Sequence, residues 1–174
     1  MCRRVRRQTA ISHQRFTPGI QSRSGFATIW CIACLPIVIA AIAFVVSIGR
    51  LNLARTELKS AAEATSIVGS RVWGQAGDGP GNDATGRITG LAAANAMVSS
   101  NTAIGVTPSV VSIEMGTYVS GVFVSGAPAP AASMRAVRAT LNVTVPGKFG
   151  ASDYTVKGQS LAWFNGTRSV LTFD

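Results

Sequence analysis

The sequence predicts an α+β protein: a single transmembrane helix that continues into a long amphipathic helix, packed on a small antiparallel β-sheet. Three observations carry this. Twenty-six consecutive residues, Ser24 to Gly49, bear no charge; apolar residues then recur in steps of three and four from Leu51 to Val72; and from Ser109 onward the apolar period falls to two.

A hydrocarbon core takes about 20 apolar residues in helical form, so residues 25–49 are long enough to span it with some tilt. Six arginines precede the run (Arg3, Arg4, Arg6, Arg7, Arg15 and Arg23) with no acid among them. By the positive-inside rule, residues 1–24 are a basic cytoplasmic tail, and everything after the span is exported. A removed secretory signal is the alternative. Its apolar part is about 7 to 15 residues and ends at a small-residue site. Here the run is longer, although Ser60-Ala61-Ala62 offers such a site.

The helix does not stop at Gly49. Leu51, Ala54, Leu58, Ala61, Thr65, Val68 and Val72 draw one seam, while Glu57, Lys59, Glu63 and Arg71 fall on the solvated side. Residues 50–75 therefore form an amphipathic extension, and with the span it gives a helix of about 48 residues, on the order of 70 Å. The stretch 74–86 holds five glycines and a proline, which predicts a flexible loop. Asp78, Asn82 and Asp83 within it lack the terminal bidentate acid of a calcium loop and are read as turn residues. Residues 88–101 predict a short second helix, with Leu91, Ala92, Ala94, Met97 and Val98 at helical intervals.

The rest of the 76–174 head reads as about five strands. VVSIEMG and TYVSGVFVSG look like two short strands joined around Met115-Gly116-Thr117, closed by the Ala127-Pro128-Ala129-Pro130 linker. AVRATLNVTV puts Val137, Ala139, Leu141, Val143 and Val145 on one face and Arg138, Thr140, Asn142 and Thr144 on the other. YTVKGQSLAWF and RSVLTF follow, separated by the turn dipeptide Asn165-Gly166. Roughly 100 exported residues suffice for one modest core.

Charge and composition exclude several functions. The net charge of +9 divides into six positive charges in the tail and an excess of three in residues 50–174 (ten basic, seven acidic). It is a signature of topology and of contact with anionic membrane lipid, not of nucleic-acid binding. All three cysteines, Cys2, Cys31 and Cys34, precede residue 50, so the exported part carries no disulfide framework. Cys31-x-x-Cys34 has redox spacing, but inside an apolar span it reads as packing. The single histidine is His13, in the tail, which leaves the exported part without an imidazole base or thiol nucleophile. Glu114 and Asp153 are the only acids in the strand region before the terminal residue and read as surface groups, and no phosphate-binding loop occurs. Trp73, Trp163 and Phe164 read as core aromatics, with a sugar platform as their alternative. No catalytic residue, cofactor, metal or small-molecule substrate is expected.

The order of several motifs resembles one family. Arg23-Ser24-Gly25, Leu35-Pro36, Gly49-Arg50, and Ala54-Arg55 through Leu58, Ala61, Ala62 and Ala64 are similar to the N-terminal module of TadE/TadG-like proteins of the Flp (tight adherence) pilus system. The AANAMVSSN stretch and Met134-Arg135-Ala136-Val137-Arg138-Ala139-Thr140 resemble later parts of that group. The resemblance implies a pilin-like head on a membrane helix, with partners among other pilus-assembly or pseudopilin subunits. It implies a bacterial inner-membrane, single-pass protein with its N-terminus cytoplasmic and its C-terminal domain periplasmic or extracellular. Helices in lipid meet through small residues, which makes Ala33, Ala40, Ala41, Ala43 and Ser47 contact candidates, with Pro36 freeing a carbonyl. Gly25-Phe26 resembles a prepilin-peptidase junction. Where pilins carry a glutamate five residues after that glycine, this sequence has Trp30, and Ser47-Ile48 stands where an aspartate is often seen before the Gly-Arg pair. Together with an end at Asp174, with no large C-terminal domain, these departures favour a short TadG-like anchored accessory protein. A cleaved minor pilin, or a tethered binding module unrelated to pili, is the alternative.

Overall fold

The computed structural model describes residues 24–76, 82–129, 134–147 and 152–172. The basic tail with Cys2 and His13, Asp78, and Pro130 of the predicted linker lie outside the described residues. Two compact units are separable, residues 1–39 and 40–174. Of the first, the described part is helix with every assessed side chain exposed to the surroundings.

Helix α1 runs without a break from Ser24 to Gln75, through Pro36. Its apolar first half and amphipathic second half are thus one element, as the unbroken periodicity requires. Helix α2 spans Asn82–Ser100. Strands β1 (Ser109–Val119), β2 (Val122–Ser125), β3 (Arg135–Val145), β4 (Tyr154–Phe164) and β5 (Ser169–Thr172) form one antiparallel sheet in the order β2-β1-β3-β4-β5.

β3 is the centre of the sheet because both its faces suit that place. Val137, Ala139, Leu141, Val143 and Val145 are all buried on the helix side, as the alternation predicts. β4 follows β3 in unbroken register from Ala136↔Trp163 to Val145↔Tyr154. Against these strands lies the second half of α1. Its Ala54, Leu58, Ala61 and Ala62 form a core with Leu141, Val143, Val145, Val156, Val98 and Ala103. Gly158 of β4 is what lets the helix come so close: a Cβ there would stand 3.0 Å from the Leu58 side chain and 3.1 Å from its backbone. The buried stripe of α1 continues through Thr65, Ser66, Ser70 and Trp73. It does not pass through Val68 and Val72, which are half-buried. Small hydroxyl residues take that place because they can bury their polar atoms locally: Thr65 donates to the Ala61 carbonyl at 2.7 Å, and Ser66 and Ser70 meet Ser160 and Ser169 across the interface at 3.3 and 2.8 Å.

Three expectations are corrected. α2 begins six residues before Ile88, so Gly86 is helical and not part of a loop. Its buried stripe is Gly86, Gly90, Ala94 and Val98, each four residues on, while Ile88 is 70% exposed, Leu91 39% and Ala92 exposed. Glycine serves there because a Cβ at Gly90 would lie 2.9 Å from Trp73 and 3.0 Å from the Gly69 carbonyl oxygen. β1 also passes straight through Met115-Gly116-Thr117, and the hairpin turns instead at Ser120-Gly121, both with positive φ (50° and 85°). That is the backbone a tight hairpin with the strand twist requires. Asn165-Gly166 does mark a turn, but one of four residues: the Asn165 side chain accepts from the Thr167 and Arg168 amides at 3.1 and 2.8 Å.

Candidate functional site: one helix with an exposed half and a docked half

The residues predicted to carry function lie mostly on α1, so its surface is the candidate site. From Gly25 to Val46 its large apolar side chains stand in the open, with Phe26 and Ile37 each 70% exposed. Among the described residues this is the one helix long and apolar enough to cross a membrane. The Gly25-Phe26 pair sits in its first turn, and Phe26 meets Trp30 edge-on, ring centroids 6.2 Å apart. Cys31 and Cys34 are unpaired thiols on the exposed helix. Ala33 and Pro36 are likewise exposed.

Ala40, Ala43 and Ser47 are placed differently. They line a groove of about 370 Å³ with Phe44, Ile48, Arg50 and Leu51, facing Val145, Pro146 and Gly147 at the end of β3 and Tyr154 at the start of β4. Ala43, Ser47 and Arg50 are half-buried, so packing against the head starts about two turns before Gly49. The Ser47 hydroxyl turns back to the Ala43 carbonyl at 2.8 Å and presents no polar atom to the groove.

The far end of the docked half is tied down by a cluster that sequence reasoning missed. Arg135, 2% exposed at the start of β3, donates from Nη1 to the Trp73 carbonyl at 2.7 Å and the Gly74 carbonyl at 3.4 Å. Those carbonyls belong to the last turn of α1, which has no helical donors of its own. A cation at this end also suits the helix dipole. Arg135 Nε lies 3.6 Å from Asp83, in the first turn of α2, and the same Asp83 oxygen accepts the Trp73 indole N–H at 3.0 Å. Arg87 completes the group, its guanidinium 5.4 Å from the Trp73 ring centroid and donating to the Met115 carbonyl at 3.1 Å. Trp73 is thus a core aromatic, as read, but Asp83 is a buried acceptor in a helix and not a turn residue. Glu57 is not simply solvated either: its carboxylate accepts the Ile104 amide.

On the opposite face of the sheet Arg138 pairs with Glu114 at 3.6 Å and sits 4.4 Å from the Phe123 ring centroid. Asp153 accepts from the Gly147 amide at 3.0 Å, so the two acids are held in separate contacts. Phe164 is buried under the helices against Gly74. Trp163 is not in that core: it is half-buried on the open face, stacked on Tyr118 at 5.8 Å. No group of three or more metal-ligating side chains occurs among the described residues.

Comparison with known proteins bears on the helix alone. A family model described as putative Flp pilus-assembly TadE/G-like matches residues 25–76. No curated protein and no solved structure gives a significant match. The matched segment and α1, Ser24–Gln75, coincide to within one residue at each end. Through that helix, exposed in one half and docked in the other, the chain carries the TadE/G-like module of putative Flp pilus-assembly proteins.

Proposed function

We propose that this protein is a non-catalytic, single-pass component of Flp/Tad-type pilus assembly or secretion, anchored in the bacterial inner membrane and acting through protein–protein contacts. The observation that carries this is the coincidence of the TadE/G-like match with α1. In this reading the exposed apolar half lies in lipid, the six arginines before it hold the N-terminus in the cytoplasm, and the sheet stands on the exported side. Other pilus-assembly or pseudopilin subunits are the partners. Exposed small residues on the span, Ala33 beside Pro36, offer the close approach by which helices associate in lipid. The exported stretch lacks histidine and cysteine, which is consistent with work done by contact and not by chemistry. Trp30, in place of the pilin glutamate, favours an uncleaved anchor over a cleaved subunit.

The test is an in-frame deletion, complemented by the parent chain or by one whose residues 25–46 are replaced with an unrelated apolar span. The deletion strain is expected to lose surface pili and adherence, with the parent chain restoring both. Normal pili and adherence in the deletion strain would sink the proposal. Full rescue by the unrelated span would confine the contacts to the head.

A further inference from the structure

The groove beside Ala43 and Ser47 has a chemistry that names its occupant. Its walls are almost wholly apolar, from the α1 turns 40–51 and from Val145, Pro146 and Tyr154. Its polar groups are already engaged: Ser47 with the Ala43 carbonyl, and the Gly147 amide with Asp153. Water filling such a groove would find few partners, so an apolar filler is favoured. Arg50 is the single charged residue in the lining, half-buried, and Tyr154 is half exposed beside it.

Position supplies the second argument, which rests on α1 spanning a membrane. Residues 25–49 extend about 37 Å as helix, against a hydrocarbon core of about 30 Å. The excess falls at the groove. Ala40 and Ala43 then lie at acyl-chain depth, and Arg50 and Tyr154 at the level of the phosphates, where arginine and tyrosine are favoured. We infer that the groove takes an acyl chain of a surrounding phospholipid, with the lipid phosphate at Arg50. The β3–β4 end of the sheet therefore rests in the membrane interface and does not stand clear of it.

Spin-label accessibility of the full chain, reconstituted in vesicles of phosphatidylethanolamine and phosphatidylglycerol, tests this. Cys2, Cys31 and Cys34 are changed to Ser, and one nitroxide is placed by Tyr154→Cys, Val38→Cys or Gln159→Cys. Labels at positions 38 and 154 are expected to meet dissolved oxygen in preference to a water-soluble nickel chelate. The label at position 159 is expected to show the reverse. Ala43→Trp, which fills the groove, is expected to lower the phospholipid retained by the purified protein in native mass spectrometry while the head still melts cooperatively. Lipid at 38 with water at 154 overturns the inference and leaves the spanning helix intact, whereas water at both removes the spanning reading as well. A label at 154 shielded from both reagents, with disulfide-linked dimers formed through Ser47→Cys, would overturn it in favour of a neighbouring copy's helix.

Discussion

Arg135→Met isolates what the buried guanidinium contributes, because it keeps the stem and removes the charge and its donors. Three contacts disappear: the 2.7 Å and 3.4 Å bonds to the Trp73 and Gly74 carbonyls, and the 3.6 Å pairing with Asp83. Breaking a fully buried ion pair from one side costs about 3–5 kcal/mol. Asp83 is 28% exposed and keeps the Trp73 indole as a donor, so water and that bond offset part of the loss. The expected destabilisation is about 2–4 kcal/mol, or on the order of 10–20 °C in Tm for a head of this size. Near-ultraviolet circular dichroism of the full chain in detergent follows it through the Trp73 signal. Asp83→Asn alone and the double variant complete the cycle. The two losses should fall short of adding by about 1–3 kcal/mol, since each substitution removes the same pairing. If Arg135→Met melted within about 0.5 kcal/mol of the parent, the cluster would not be what fastens α1 to the sheet.

Other substitutions probe the docking in different ways. Leu58→Ala empties a fully buried position between α1 and β4 and should cost about 2–5 kcal/mol in the same melting assay. Gly158→Ala pushes a methyl into the Leu58 backbone and should cost about 1–3 kcal/mol by overpacking; combined with Leu58→Ala it should lose less than the sum only insofar as the side chain, not the backbone, is the obstacle. Gly121→Val puts a β-branched residue at a φ of 85° and should destabilise the β1–β2 hairpin by about 1–2 kcal/mol or more, read as faster amide exchange in β2 than in β3.

The sequence announced those elements whose pattern is local. The uncharged run and the small-residue seam specify α1 because a helix needs only its own periodicity, and the strict alternation from Ala136 to Val145 specifies the central strand. Where a residue's role depends on a distant neighbour, the pattern misled. Gly116 looks like a turn residue, yet it lies in a strand because a Cβ there would stand 2.1 Å from the Val124 carbonyl oxygen of the paired strand. Gly86 and Gly90 look like loop residues for the same reason: the close approach of α2 to Trp73 is visible only after folding. The Trp73–Asp83–Arg135 cluster joins residues up to 62 positions apart. Its one local sign was a charged residue, Arg135, at a position whose alternation puts it on the buried face with Val137 and Ala139. A lone arginine at the inward edge of an apolar strand asks for a carbonyl or a carboxylate, and both were within reach of the glycine-rich stretch that had been read as loop.

Thiol accessibility along α1 tests most directly whether one helix both spans the bilayer and carries the head. In a Cys2→Ser background, intact spheroplasts are treated with a membrane-impermeant maleimide. Native Cys31 and Cys34 should remain unlabelled until the bilayer is dissolved, while a thiol introduced by Arg71→Cys, exposed on the docked half, should react at once. Labelling of Cys31 and Cys34 in intact spheroplasts, or protection of the Arg71→Cys thiol, would contradict it.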